Sequence, residues 1–256
     1  MKQNYRMTLQ YEGTKYNGWQ KQGNTPNTIQ AKLEAILQKL DGAEVEVRGS
    51  GRTDGGVHAM GQVASFTLEH PLPAGEVMAY INQYLPRDIA VVALEEAEPR
   101  FHARLNAKGK TYRYRIHQSP VPDVFGRRYS WPLAEQLDVE AMRAAAAYLV
   151  GKQDFQSFCD LKNSKKSTVR RVDSIEIFRD GADLVLDFTG EGFLYHMVRI
   201  MAGTLADVGA HRILPGQIAQ RLGFIAQQEG IDLTSHGAAL LARLADGGLR
   251  DALSLL

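Results

Sequence analysis

Cysteine is almost missing from this sequence. Cys159 stands alone, so no intrachain disulfide can close and no thiolate cluster can hold a metal. A reducing cytoplasm is the setting this implies. Long apolar runs are missing as well: none approaches the roughly 20 residues that span a bilayer. No apolar segment follows Lys2, so the start does not read as a secretion signal. Charge of one sign is equally scarce. With 30 basic and 29 acidic side chains the net is +1, which excludes a global attraction to polyanions. What remains is 44% apolar and 23% charged over 256 residues, enough for a sizeable core in one domain or two.

The distribution of charge says more than its sum. Arg100, Arg104, Lys108, Lys110, Arg113, Arg115, Arg127 and Arg128 fall within 29 residues that hold one acid, Asp123. Lys162, Lys165, Lys166, Arg170 and Arg171 form a second group beside Asp160. Such stripes suit a polyanion laid along one face, or merely solvated strand and loop surfaces.

Periodicity predicts an α+β chain. Residues 5–12 alternate, with Tyr5, Met7, Leu9 and Tyr11 on one face of a half-buried strand. A helix follows, capped by Asn27 or Thr28, with Ile29, Leu33, Ile36, Leu37 and Leu40 on one side. Residues 44–48 and 62–68 read as strands around a glycine-rich segment, and a short helix at 76–85 ends before Pro86. Residues 89–93 and 111–117 return to strand. Ser119, Pro120, Val121 and Pro122 then break the pattern and mark a hinge between halves. Beyond them come a helix at 139–149 capped by Asp138, a strand hairpin at 173–178 and 183–188, and helical spacing from Leu194 to Val208.

The chemistry concentrates in residues 49–59, where Arg52, Asp54 and His58 sit among glycines that let backbone approach a ligand closely. A turn stabilised by its own Asp and Arg is the plainer alternative. A dinucleotide fingerprint fails, because Asp54 occupies its third glycine position and a strand follows. Gly109, Lys110 and Thr111 end like a phosphate-binding loop, but Arg104 stands where its first glycine belongs.

Residues 51–59, Gly-Arg-Thr-Asp-Gly-Gly-Val-His-Ala, resemble the signature of the TruA family of tRNA pseudouridine synthases. Residues 11–20, 28–30, 101–104 with 110–114, 154–158 and 192–199 match further family motifs in order, over residues 4–212. The resemblance implies the pseudouridine synthase fold: two similar mixed α/β halves around a central, antiparallel-rich sheet with a cleft. It implies cofactor-free and metal-free isomerisation of uridine to pseudouridine at positions 38–40 of the tRNA anticodon arm, by a homodimer.

Asp54 would be the catalytic carboxylate, as nucleophile or as base. Arg199 would pair with it, because a cation offsets the tendency of burial to neutralise a carboxylate. Tyr112 would stack against the uracil. Arg52 would position the site and His58 contact RNA, or serve as a hydrogen-bonded core histidine. Glu191 and Gln153 depart from the family's usual Asn and His.

The likeness stops near Arg212. The family's closing strand, beside the active site, has no counterpart after it. Residues 213–256 read as a helical tail, and residues 247–256 resemble the end of the ATPase region of clamp-loader tau/gamma subunits, with Arg250 at its nucleotide-sensing position. No Walker A sequence accompanies them. This predicts three parts, 1–118, 119–212 and 213–256, with a fusion, frameshift or assembly artefact near Arg212 to Pro215. It also raises an alternative function, a catalytically impaired RNA-binding chimera.

Overall fold

The computed structural model describes residues 2–160 and 167–218. Two units make up the chain, the first ending at Ala107 and the second beginning at Lys108. Each has an antiparallel-rich sheet, helices and its own core.

In the first unit β1 (Gln3–Tyr11) is the central strand, pairing antiparallel with β3 (Ala59–Leu68) and β4 (Ile89–Ala97). A short β2 (Arg48–Gly49) completes the order β2-β3-β1-β4. The predicted alternation holds: Tyr5, Met7 and Leu9 are fully buried and Tyr11 nearly so. Helix α1 (Ile29–Asp41) starts where Thr28 Oγ1 accepts from Ala31 N at 3.3 Å and stops at Gly42, in the left-handed region at φ 74°. It buries Ile29, Leu33 and Leu37, while α2 (Ala74–Tyr84) buries Val77 and Ile81.

The strand expected at residues 44–48 is a correction. Val45 and Val47 are buried as its alternation requires, but only Arg48 and Gly49 pair with β3. The N–H of Val47 goes instead to the carboxylate of Glu34, on α1, at 3.1 Å. That bond fastens the segment to the helix and removes a donor from the ladder.

The second unit's sheet runs β6-β5-β9-β8-β7. Its members are β5 (Lys110–His117), β6 (Trp131–Pro132), β7 (Gly151–Asp154), β8 (Val169–Asp180) and β9 (Asp183–Gly190). Helix α3 (Val139–Ala147), capped by Asp138 accepting from Ala141 N at 3.0 Å, and α4 (Met197–Gly209) pack against it. Because β5 hydrogen-bonds along its whole length to β9, it belongs to this unit, ahead of the Ser119–Pro122 break read as the hinge. On its other side β5 pairs with β6 only at Ile116 and His117. Among the described residues no strand borders residues 110–115 there.

The core of this unit extends past the predicted junction. Ile213 and Ile218 are buried, the latter at 1% exposure, against α4 and its neighbours. The tail readings at Leu222, Ile225, Leu240, Leu241, Leu244 and Arg250 lie outside the described residues, as do Lys162, Lys165 and Lys166.

Candidate active site

The loop that carries Asp54 is held on two sides. On one, residues 50–51 are tied to β3: Ser50 N donates to Val63 O at 2.7 Å, and Gln62 Nε2 donates to Gly51 O at 2.6 Å. On the other it lies against residues 13–19, with Trp19 N donating to Thr53 O at 3.0 Å and Gly56 N to Tyr16 O at 3.3 Å. The Tyr11 hydroxyl meets Thr53 Oγ1 at 2.9 Å.

Glycines make this approach possible. A Cβ on Gly13 would stand 2.0 Å from the Val57 carbonyl oxygen. One on Gly18, already at φ 87°, would stand 2.5 Å from the Thr53 carbonyl oxygen. Behind them, the Tyr16 hydroxyl donates to Asp88 at 2.6 Å, and burial together with that carboxylate pushes its phenol far above the ordinary tyrosine value.

Asp54 itself is half-buried. Arg52 is exposed and forms no ion pair among the described residues, so the Arg–Asp salt bridge that the spacing allows is not what shapes the turn. His58 faces inward: its Nδ1 accepts from Gly13 N at 3.0 Å and lies 3.4 Å from Glu12 Oε1. This bond ties the two loops together, with the ring partly exposed.

In the second unit the expected alternation on β5 is present. Tyr112, Tyr114 and Ile116 share the helix-facing side, and Tyr112 meets the edge of Phe193 at 5.3 Å between ring centroids. Arg199 lies in the first turn of α4, which holds no acid. That is the unfavourable end of the helix dipole for a cation, at a cost of about 0.3–1 kcal/mol. Among the described residues Arg199 makes no hydrogen bond or ion pair, but its charge is felt at Tyr114, where burial raises the phenol and the guanidinium opposes it. Arg199 and Tyr112 thus relate to the same face of β5, through Tyr114 two residues along. The first residue before this helix, His196, is in the left-handed region at φ 59° and stacks on Tyr195.

The basic stripe is partly consumed within the fold. Arg113 makes a paired contact with Asp187 at 2.7 and 2.8 Å, and Arg115 binds Asp183 at 3.0 Å and Asp180. Arg100, Arg104, Lys108, Arg127 and Arg128 remain exposed.

The sequence matches the family described as tRNA pseudouridine synthase over residues 7–106 and 145–229, more than half of the chain. The chain belongs to the tRNA pseudouridine synthase family. Among similar proteins, tRNA pseudouridine synthase A 2 of Bacillus cereus (strain ZK / E33L) is 43% identical over 86% of this chain and 89% of its own length. tRNA pseudouridine synthase A of Moorella thermoacetica is 45% identical, covering 83% of this chain and 87% of its own. That of Pelobacter propionicus is 44% identical over 84% and 87%. Residues 217–256 separately match the ATPase lid domain of a DNA polymerase III clamp loader subunit, the resemblance seen in the tail. The synthase match overlaps it and runs beyond Arg212.

Within this synthase the described residues hold no group of three His, Cys, Asp or Glu side chains placed to bind a metal ion, and no helix long and apolar enough to cross a membrane. Gln153 and Glu191, the two departures from the family pattern, have local work. Gln153 Nε2 donates to Tyr148 O and Val150 O, both at 2.8 Å, and Glu191 Oε1 accepts from Arg171 N at 3.2 Å.

Proposed function

We propose that this synthase isomerises uridine to pseudouridine at positions 38–40 of the tRNA anticodon arm, with Asp54 as its catalytic carboxylate. The observation that carries the reading is the Asp54 loop itself. Its backbone is fixed from both sides by hydrogen bonds and by glycines that admit no side chain, which holds one carboxylate in place for a reaction.

The reaction balances without an external reagent. The N1–C1′ bond of the nucleotide breaks, a C5–C1′ bond forms, C5 gives up its proton and N1 takes one. Asp54 serves as the nucleophile or as the base; both roles require it ionised. Arg199 is a substrate-binding cation of the second unit, its charge reaching Tyr114 on β5. Tyr112 provides the ring against which the uracil rests. Arg52, exposed beside Asp54, meets the RNA. His58 positions the loop through Gly13 and is available to the RNA at its rim. The enzyme works as a cytoplasmic homodimer, which sedimentation and fractionation test separately.

The test is site-resolved. Anticodon-arm RNA carrying uridine at 38, 39 or 40 in turn, with cytidine at the other two, is incubated with the enzyme and mapped for pseudouridine. Product at one or more of these positions and nowhere else is the expected result; modification confined to another part of the tRNA overturns the assignment of position. The impaired-binder alternative is not favoured by the family match, which runs on to residue 229, beyond the expected break near Arg212.

A further inference from the structure

The connection from β5 to β6, residues 118–130, carries an exposed tip that neither the core nor the proposed chemistry uses. Phe125 is 92% exposed, Val124 62% and Tyr129 51%, and Arg127 and Arg128 are exposed beside them. Single apolar side chains at a surface are ordinary. Here a large ring is held out by a defined turn.

The Asp123 carboxylate accepts from the N–H groups of Phe125 at 3.0 Å and Gly126 at 2.8 Å, and Tyr129 N donates to Gly126 O at 2.8 Å. A Cβ on Gly126 would stand 2.1 Å from Asp123 Oδ2, so a side chain there would push the Asp123 carboxylate from its place. At its base the His117 ring sits between Asp183 Oδ1, at 2.7 Å, and the Val121 carbonyl, at 3.2 Å. The loop is anchored at both levels, and Phe125 stands in solvent beside the exposed Val124.

We propose that this loop is a second RNA contact of the enzyme, with Phe125 stacking on an unpaired tRNA base other than the reacting uridine and Arg127 meeting an adjacent phosphate. The inference rests on the tRNA reading above. Every base offers a π face, and a pre-ordered aromatic platform binds it without ordering cost. A second copy of this chain is the less suitable occupant. A two-fold contact would bring Arg127 of the two loops together, and Asp123, the loop's one acid, already has its carboxylate on backbone N–H groups. A phosphate neutralises the same arginine.

The test measures the dissociation constant of whole, unmodified tRNA by filter binding for wild type, Phe125→Ala, Phe125→Leu and Phe125→Trp. Loss of one base stack predicts binding weakened roughly five- to a hundredfold for the Ala and Leu variants, with Trp near wild type. Arg127→Ala lowers the slope of log affinity against log salt by about one. Thermal midpoints unchanged from wild type show that the exposed substitutions leave the fold intact. Wild-type affinity in Phe125→Ala overturns the proposal. Wild-type affinity in Phe125→Leu also does, since a merely apolar contact keeps leucine. A shift in sedimentation with tRNA affinity unchanged overturns it in favour of self-association. Wild-type enzyme that forms no pseudouridine counts against the function itself, whereas active wild type with normal binding by Phe125→Ala counts against this loop alone.

Discussion

At the scale of residues, the account depends on how little room the Asp54 loop has. Gly18 combines a positive φ with backbone 2.5 Å from any Cβ, so Gly18→Ala meets both strain and collision. We expect it to destabilise the first unit by several kcal/mol, following the costs of forced backbone and overpacking. Activity should fall further than the folded fraction, because Thr53 O and Asp54 C are the atoms displaced. Comparing thermal midpoints with turnover per folded molecule checks both. Arg199→Ala should cost at least tenfold in turnover, with partial recovery in Arg199→Lys, which restores charge but not the planar fork. Equal turnover in all three proteins would remove Arg199 from the chemistry.

The glycine-rich segment and its Asp, Arg and His are plain in the sequence, whereas what each side chain touches is not. Arg52 and Asp54 are two residues apart, which made an internal ion pair reasonable; Arg52 instead stands in solvent. His58 finds its partner 45 positions away, at Gly13 N, and no local pattern foretells that. Arg113 and Arg115 look like free cations because their carboxylates arrive on β9, some 70 positions later.

At the scale of elements, two clasps set how the units respond to pH. Asp41 ends α1 with its carboxylate fully buried. Burial pushes it up, but the N–H groups of Glu69 and His70, at 3.0 and 2.8 Å, outweigh this together with the His70 ring, and the net direction is down. Its contribution is therefore present above the ordinary carboxylate value and is lost as pH falls through the depressed one. Asp41→Asn should lower the thermal midpoint at neutral pH and reduce the difference from wild type as acid is added.

His117 has the opposite sign. The Asp183 carboxylate and the Val121 carbonyl raise it, so its contribution is complete below the ordinary histidine value and disappears as pH rises through the raised one. His117→Gln should therefore be less stable than wild type near pH 6, the two curves converging in mild alkali. A constant difference at all pH values would show that the clasp does not titrate. Strand and helix existence was readable from period two and from caps such as Thr28 and Asp138. The 44–48 strand was not, because its alternation survives while Glu34 takes the Val47 donor.

At the scale of the whole molecule, each unit has its own core. Tyr5 and Phe66 stack at 5.2 Å in the first, and Phe188, Phe155 and Ile218 lie in the second. Phe66→Ala and Phe188→Ala should each cost about 3–5 kcal/mol, read as lowered denaturant midpoints. The α+β class and the family were legible because the motifs carry them. The extent of the second unit was not: Ser119, Pro120 and Pro122 look like a boundary, yet β5 before them pairs with β9 beyond.

The most direct measurement is pseudouridine formed in anticodon-arm tRNA by purified wild-type enzyme and by Asp54→Ala, at equal folded concentration and equal RNA occupancy. We predict product from wild type and none above background from the variant. Pseudouridine at the wild-type rate from the variant would contradict the account, since the reaction would then proceed without the one carboxylate the loop is built to hold.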